Sequence, residues 1–326
     1  MARMRYGLEQ ARELARCAIM NAGASDAIAL SLANATLAAE RCGRSAVGFA
    51  HLPDYLEGFE AGRISCTAQP RIDFPTPASV RVDAGGGIAQ LGFDVAFRQL
   101  VKRTRVYGIA MFVQANGYTA GELGYYTRRL AESGLVSFAV SNGPALMAAG
   151  RAQEPVYGTN PFSLAAPVEG DVPLVIDQAT SATAFVNLRK AAQSGARIPE
   201  GWVVDARGHP VTDAREAMNG LLLAFGGGRG ANIALMVEVL AAGMSGANWS
   251  LDAPSFSEGS DAPGVGLFIA AMAPDVLVPG FRARLAAQLN RLSEKGVHIP
   301  GRSPAIQEVD IPDPVAARIA RWSQRR

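Results

Sequence analysis

The first part of the chain places apolar residues at helical spacing. The pattern predicts helices over 8–21 and 26–41, and Ser25, which follows a glycine, is a plausible N-terminal cap for the second. Helical spacing returns over 92–107, after a connection that three prolines mark as irregular or extended: Pro70, Pro75 and Pro77. We therefore expect this part of the chain to be mainly helical.

From about residue 108 the pattern changes to short apolar runs rich in β-branched or aromatic residues. The apolar runs predict four strands, over 108–114, 135–142, 162–167 and 172–178. The segment between the first two runs predicts a helix over 121–133. Strands and helices do not alternate regularly, so a parallel doubly wound sheet is not the expected architecture.

The C-terminal part mixes both element types. A glycine turn leads into a long apolar helix within 215–246, and a polar loop follows over 254–264. A strand near 266–272 and a helix near 280–295 come next. The whole pattern predicts a mixed α/β protein.

Charge and cysteine content narrow the function classes. Lys and Arg number 31 against 29 Asp and Glu, a balance that argues against a nucleic-acid-binding protein with one basic face. No apolar run is long enough for a membrane span, and charges interrupt any signal-peptide core. The odd, widely spaced cysteines fit neither a disulfide framework nor a metal site: Cys17, Cys42 and Cys66. We expect a protein of the reducing cytoplasm that binds no metal.

The stretch 226-GGGRGA-231 is the most noticeable glycine-rich turn. It can be aligned with a dinucleotide-binding fingerprint, but the segment before it is not a convincing strand–helix–strand unit. A turn that brings a helix N-terminus close to an anion is the better interpretation, with Arg229 adding charge for a phosphate. The alternative is a purely structural turn with a solvated arginine.

Two further sites carry candidate chemistry. Asp177 ends an apolar strand beside Thr180 and Ser181, where a carboxylate can be functional or can form a turn or helix cap. Histidines are scarce, and an exposed or structurally bonded role is the simpler interpretation for each: His51, His209 and His298. Only His51 lies in a glycine-marked loop, 43-GRSAVGFAHLPDYLEGFEAGRI-64.

Taken in order along the chain, several motifs resemble the malate/L-lactate dehydrogenase type of NAD(P)-dependent oxidoreductase. The blocks are 158-GTNPFSLAAP-167, 176-IDQATSA-182, 199-PEGWVVDARGHPVTD-213 and 221-LLLAFGGGRGANIALMVEVLAAGMSG-246. The last block looks most similar to the branch of the family that reduces Δ1-piperideine-2-carboxylate and Δ1-pyrroline-2-carboxylate.

The resemblance implies a non-Rossmann NAD(P)-binding fold, with a largely antiparallel sheet plus a helical domain. Residues 1–107 with 281–326 would form the helical, substrate and dimerisation domain, and 108–280 would form the NAD(P)-binding domain. It further implies a small-molecule substrate, NADPH or NADH as cofactor, and a homodimer. The residues carried over to the cofactor are Thr119, Thr159, Asn160, Thr180, Ser181, Arg229 and Gly230. Arg229 stands where the family usually has lysine, so the positive charge is kept. The presence of Arg229 slightly favours NADPH over NADH.

The departures from the family loop concern its chemistry. The loop usually reads G-x-x-S-H-G-x-x-R-L-P-x-Y, and here Ala46 and Val47 stand in the serine and histidine positions. His51 stands where the family has an arginine for the substrate carboxylate, and Thr119 takes the histidine position of a second motif. Asp177 is kept. We therefore expect catalysis to involve His51 and Asp177, and substrate binding to involve three residues: Arg44, Val47 and Gly48.

These departures favour an imine substrate. Reducing a ketone creates an alkoxide that needs an acid, and losing one general acid typically costs about 10²–10⁴-fold. A protonated imine needs far less help, because hydride addition leaves a neutral amine. Three hypotheses follow: reduction of a cyclic imine; a 2-hydroxy-acid dehydrogenase in which His51 supplies the proton; or a cofactor-binding protein without redox turnover. If 44–52 were helical, His51 would share a face with Val47 and could replace the missing histidine.

Overall fold

A computed structural model describes residues 3–150, 152–302 and 306–323. Its strands are β1 Arg3–Gly7, β2 Arg71–Asp73, β3 Ser79–Asp83, β4 Ile109–Gly117, β5 Val136–Ser141, β6 Phe162–Ala166, β7 Leu174–Gln178, β8 Val203–Val204, β9 Leu221–Leu222, β10 Val265–Met272 and β11 Glu308–Pro312. Its α-helices are α1 Leu8–Asn21, α2 Asp26–Arg41, α3 Leu52–Glu60, α4 Ala89–Tyr107, α5 Leu123–Glu132, α6 Phe185–Ser194, α7 Ala214–Ala217, α8 Gly228–Glu238, α9 Pro274–Leu277, α10 Phe281–Glu294 and α11 Asp313–Ser323.

The predicted mixed α/β character is confirmed. A seven-stranded sheet has the order β2-β3-β4-β10-β5-β6-β7. Within the described residues, β3 and β4 are its only parallel neighbours, and every other pair is antiparallel. The four strands predicted in the middle of the chain are β4, β5, β6 and β7, and the predicted strand near 266–272 is β10.

The N-terminal helices form where the sequence predicts them. Ser25 accepts a hydrogen bond from the backbone N–H of Ile28 at 3.5 Å, which satisfies one of the free donors at the start of α2. Alanines with no exposed surface let α1 approach α2 closely: Ala11, Ala15, Ala18, Ala29 and Ala33. Helices α3 and α11 complete this core with Leu52, Leu56 and Ile319.

The two ends of the described chain lie side by side. Strand β1 pairs with β11 in an antiparallel two-stranded sheet, with Tyr6 opposite Val309. The sequence analysis predicted neither strand, nor α3, α6 and α11. Short strands that pair across almost the whole chain leave little local pattern, because their partner supplies the burial.

Two further cores lie beyond the N-terminal helices. One fills the space between the large sheet and the helices α4 and α5, around Phe93, Phe112 and Tyr126. The other surrounds β8 and β9 and includes Met147 and Leu188. The division into residues 1–107 with 281–326 and residues 108–280 stays a prediction. No helix within the described ranges has the length and apolar character to cross a membrane.

Candidate functional site

The loop after α2 is held in place by a buried carboxylate. Residues Ser45–Val47 form a single 3₁₀ turn, and Glu40 accepts hydrogen bonds from Ser45 Oγ at 2.6 Å and from the backbone N–H of Phe49 at 2.8 Å. A Cβ at Gly48 would overlap the Glu40 carboxylate, so a larger residue there would have to displace it. The hydrogen bonds of Ser45 and Phe49 to Glu40 therefore hold the loop on both sides of Val47.

The helical geometry considered for this loop is wrong. Residues 44–52 do not form a helix, since the 3₁₀ turn ends at Val47 and α3 starts only at Leu52. Pro53 occupies the first turn of α3, where the missing N–H costs nothing. Val47 and His51 therefore do not share a helical face, and the simple four-residue replacement loses its geometric basis.

His51 lies just before α3 and is bound to an acid one turn further on. Its Nδ1 is 2.9 Å from Asp54 Oδ2, and its ring meets the edge of Tyr55 with the centroids 5.0 Å apart. Two arginines face the same carboxylate, Arg189 from α6 at 3.9 Å and Arg318 from α11 at 3.8 Å.

Charge and burial act in opposite directions on Asp54. Burial favours its protonated form, but the hydrogen bond with His51 and the nearby charges of His51, Arg189 and Arg318 together lower the pKa of Asp54 below its usual value. The carboxylate is therefore ionised near neutral pH, and it can hold the imidazole in one orientation.

Thr119 lies close to the same helix. Its side chain interacts with the phenol of Tyr55, which also accepts a hydrogen bond from Gln90 Nε2 at 3.1 Å. The left-handed backbone at Gly121, with φ of +65°, lets the chain turn beside Tyr55 and Gln90. The loop between β4 and α5 thus packs on the helix that begins after His51.

Asp177, at the end of β7, lies against the start of α5. Its Oδ2 accepts the backbone N–H of Gly124 at 3.0 Å, and its backbone carbonyl accepts a hydrogen bond from Arg44 at 2.9 Å. Burial, the largest influence, raises the pKa of Asp177 to about 6, and the charge of Glu122 acts in the same direction. The hydrogen bond from Gly124 and the charges of Arg44 and Arg128 oppose that rise.

The predicted cofactor residues form a second group. Thr180 donates hydrogen bonds from its N–H at 2.9 Å and its Oγ1 at 3.0 Å to the carbonyl of Thr159. Ser181 pairs with Ala224, just before the glycine turn. Segment 177–181 therefore runs from the Asp177 side to the glycine turn and connects the two groups.

Asn160 differs from its neighbours because its amide is fully buried. Its Nδ2 donates to the carbonyl of Ala234 at 3.0 Å and to Glu238 Oε1 at 2.6 Å. Ser250 also hydrogen-bonds Glu238 and in turn accepts the N–H of Gly158 at 3.0 Å. These contacts shape the turn that presents Thr159 and give the Asn160 side chain a structural role.

The glycine turn suits a phosphate-bearing nucleotide. Gly226 and Gly227 have φ values of +59° and +62°, and added Cβ atoms there would meet open space. The exposed Arg229 lies in the first turn of α8, while a Cβ at Gly230 would overlap the carbonyl oxygen of Phe225. A cleft of about 630 Å³ adjoins the turn, between residues 148–150 and the hairpin 204–208. Open backbone, helix N-terminus and guanidinium are the features that bind phosphate.

The sequence analysis missed several residues of this region. Their signal was weak, because single acidic and basic residues on helices usually face solvent. They are Glu40, Asp54, Glu122, Arg128, Arg189 and Glu238. The other two histidines stand apart from the loop: His209 hydrogen-bonds Asp205 within an exposed turn, and His298 is exposed.

Comparisons with known proteins agree on one group. A family model described as malate/L-lactate dehydrogenase matches residues 7–310. A (2R)-3-sulfolactate dehydrogenase (NADP(+)) of Chromohalobacter salexigens is 33% identical over 100% of both chains. A Δ1-pyrroline-2-carboxylate/Δ1-piperideine-2-carboxylate reductase of Pseudomonas aeruginosa is 31% identical over 92% of this chain and 91% of its own. The crystal structure of the Δ1-piperideine-2-carboxylate reductase of Pseudomonas syringae superposes with a TM-score of 0.87 at 31% identity, covering 98% and 94% of the two chains.

Proposed function

The chain belongs to the malate/L-lactate dehydrogenase family and is an NAD(P)-dependent oxidoreductase, and within that class we propose that it reduces a cyclic imine that carries a carboxylate. Support comes from relatives named as pyrroline- and piperideine-2-carboxylate reductases. The observation that carries the proposal is Val47 on the 3₁₀ turn, at the position where the resemblance puts the family's histidine. An alkyl side chain cannot supply a proton to a ketone oxygen, whereas an imine nitrogen is much more basic and can take its proton from a carboxyl group elsewhere in the site.

Asp177 is the group that we assign to the proton. A carboxyl group whose pKa is about 6 is protonated in a useful fraction near neutral pH. In its neutral form it can donate a proton to the imine nitrogen, and the resulting carboxylate then pairs with the iminium cation. The proton moves from oxygen to nitrogen, the C=N carbon accepts the hydride, and solvent later reprotonates Asp177.

The substrate carboxylate needs a cation, and two candidates lie in the loop. His51, oriented by Asp54, can bind the carboxylate through its Nε2 when protonated. Arg44 approaches from the other end of the loop, where it already hydrogen-bonds the backbone of Asp177. Val47 and Gly48 lie between them in sequence and would form the apolar wall against the ring.

The cofactor would lie along the second group of residues. When bound, a reduced nicotinamide supplies the hydride. The glycine turn and Arg229 suit the phosphates of the cofactor, and Gly230 allows close approach of the backbone. We assign Thr159, Thr180 and Ser181, which lie near the ends of β6 and β7, to contacts with the cofactor. Thr119 would contact the nicotinamide side. The largely antiparallel sheet supports a non-Rossmann site, and the arginine favours NADPH.

Assembly completes the proposal. We infer a homodimer in which the helical part, residues 1–107 with 281–326, contributes the dimer contacts and the substrate loop. Residues 108–280 then hold the cofactor. Analytical ultracentrifugation of the purified chain tests the assembly, and a monomer at micromolar concentration contradicts it.

The deciding experiment compares substrates. Purified protein is assayed for NADPH and NADH consumption with Δ1-pyrroline-2-carboxylate, Δ1-piperideine-2-carboxylate, pyruvate and oxaloacetate, and cofactor binding is measured separately by calorimetry. Turnover of the imines at least about a hundredfold above that of the 2-oxo acids is expected, since one missing general acid has an effect of that size. Turnover of the 2-oxo acids alone, or tight cofactor binding without turnover, contradicts the proposal.

A second candidate function rests on the His51–Asp54 contact. A histidine oriented by a carboxylate is the usual arrangement of a general acid, so His51 can instead protonate a ketone oxygen in a 2-hydroxy-acid dehydrogenase. The two functions predict different effects of His51→Ala on the kinetic constants. In the dehydrogenase it abolishes kcat, whereas in the imine reductase it raises KM.

A further inference from the structure

A second carboxylate, absent from the reaction proposed above, lies next to Asp177. Glu122 precedes the first residue of α5, and its side chain is only 2% exposed. Its Oε1 accepts a hydrogen bond from Arg128 at 2.8 Å, whereas its Oε2 is buried and has no hydrogen-bond partner among the described residues. A buried carboxylate oxygen without a donor is costly, so this arrangement calls for an explanation.

Gly124 fixes the distance between the two acids. A Cβ built on Gly124 would lie 2.7 Å from Glu122 Oε1 and 3.2 Å from Asp177 Oδ2, so these two oxygens are no more than about 6 Å apart. The absence of a side chain at this position lets both carboxylates approach the start of α5. A like charge at this distance disfavours the ionised form of its neighbour.

The charges that face Asp177 come from several elements. Helix α5 and its start supply the Gly124 N–H, Glu122 and Arg128, and the loop after α2 supplies Arg44. Arg128 also faces the thiol of Cys42, where burial raises the thiol pKa and keeps it protonated. Glu122 is therefore the one negative side chain, among the described residues that act on Asp177, that favours its protonated form.

We propose that Glu122 is a positioning residue that keeps Asp177 in its proton-carrying form, and that Arg128 makes the burial of Glu122 possible. Leaving a buried charge without a partner is costly, and the ion pair with Arg128 allows the Glu122 carboxylate to be buried close to Asp177. The negative charge of Glu122 raises the pKa of Asp177 and the positive charge of Arg128 lowers it, so the proton affinity of Asp177 depends on both residues. This inference rests on the proposed role of Asp177 as the proton donor.

Two variants test the inference with opposite signs. Glu122→Gln removes the negative charge and should lower the midpoint at which Asp177 loses its proton. Arg128→Gln removes a positive charge that itself lowers the pKa of Asp177, so it should raise that midpoint and checks that the readout follows nearby charge. If Glu122→Gln does not fold, the Glu122→Gln/Arg128→Gln double variant should titrate below Arg128→Gln alone, and equal midpoints contradict the inference. Glu294→Gln, at an exposed position at the end of α10, is the matched control and should leave the midpoint unchanged.

The readout is the infrared band of the protonated carboxyl group, followed against pH in the full-length protein and assigned by its loss in Asp177→Asn. We expect the parent band to disappear around pH 6 and the midpoint to fall by roughly one pH unit in Glu122→Gln, the scale of a nearby charge in proteins. The falling limb of kcat/KM should move with it. An unchanged midpoint in a folded Glu122→Gln variant, with only a lower Tm, overturns the inference.

The titration needs no turnover, which separates this inference from the proposed function. If the midpoint shifts as expected but no imine is reduced, Glu122 still controls Asp177, and the assigned reaction is wrong. If imines are reduced while both variants keep the parent midpoint, the reaction stands and Glu122 has only a structural role.

Discussion

The imidazole of His51 and the carboxylate of Asp54 are joined one helical turn apart, with Nδ1 and Oδ2 separated by 2.9 Å. The contact leaves Nε2 as the ring nitrogen available to a ligand. It also connects the loop to α6 and α11, because Arg189 and Arg318 face the same Asp54 carboxylate. An orientation fixed from three elements is what a binding group requires.

His51→Ala should weaken substrate binding more than catalysis. A charged hydrogen bond contributes about 1.5–3 kcal/mol, so KM for a carboxylate-bearing imine should rise roughly tenfold or more while kcat changes little. Steady-state kinetics with the imine substrate checks both constants. His298→Ala, at an exposed position, is the control, and a collapse of kcat in His51→Ala favours the dehydrogenase alternative.

Asp177→Asn should make the protein less active and more stable. The pKa of Asp177 is raised from 3.8 to about 6, so the folded state holds the proton more tightly than the unfolded chain. Stability is therefore lost as the pH rises from about 4 to about 6, and the penalty is fully present above pH 6. Allowing for partial exposure, it is on the order of 1–2 kcal/mol.

The amide removes that penalty but cannot donate the proton. At pH 7.5 we expect kcat to fall by about 10²–10⁴-fold and Tm to rise by roughly 2–4 °C, measured by steady-state kinetics and calorimetry. At pH 4 the gain in Tm should vanish. Asp252→Asn at an exposed position should change neither quantity, and parent-like kcat in Asp177→Asn rules out the assigned proton donor.

Val47→His should extend the substrate range towards ketones. It places an imidazole on the 3₁₀ turn whose backbone Glu40 holds, so the new group inherits a fixed position. Turnover of pyruvate or oxaloacetate should increase by about tenfold or more, part of the full effect of a general acid. Val47→Leu controls for size, and equal 2-oxo-acid rates in the two variants would show that the acid is not what limits ketone reduction.

Gly230→Ala and Gly228→Ala form a matched pair on α8. The first adds a methyl group that overlaps the carbonyl of Phe225, and the second adds one in open space. We expect Gly230→Ala to distort the turn and weaken NADPH binding by roughly tenfold or more, because the backbone must shift. Gly228→Ala should have a Tm close to that of the parent protein. Calorimetry of both variants therefore separates the effect of the steric overlap from the general effect of replacing a glycine.

Arg229→Ala should alter the preference between cofactors. The guanidinium is exposed at the start of α8, where a charged hydrogen bond to a phosphate contributes about 1.5–3 kcal/mol. If it binds the additional phosphate of NADPH, the Kd for NADPH should rise roughly tenfold and the Kd for NADH should change much less. Arg291→Ala on α10 is the control. Equal losses for both cofactors would place Arg229 at a phosphate that they share.

Periodicity identified the elements that a local pattern specifies. Helices α1 and α2, the four middle strands and the strand β10 all formed where apolar spacing and caps indicated them. Periodicity did not identify β1 and β11, whose pairing joins Tyr6 to Val309, or α3, which accommodates Pro53 in its first turn. Long-range pairing and context outweigh local propensity at such places.

The candidate site divides in the same way. The sequence by itself determined that position 47 is valine, that position 51 is histidine, that Asp177 ends a strand, and that a glycine turn precedes an apolar helix. Only the tertiary structure decided that Asp54, Arg189 and Arg318 converge beside His51, and that Glu122 lies within about 6 Å of Asp177. The physical reason is that residue type sets which groups can titrate or bind. The proton affinity of each group depends on burial and on charges that residues distant in sequence bring to it.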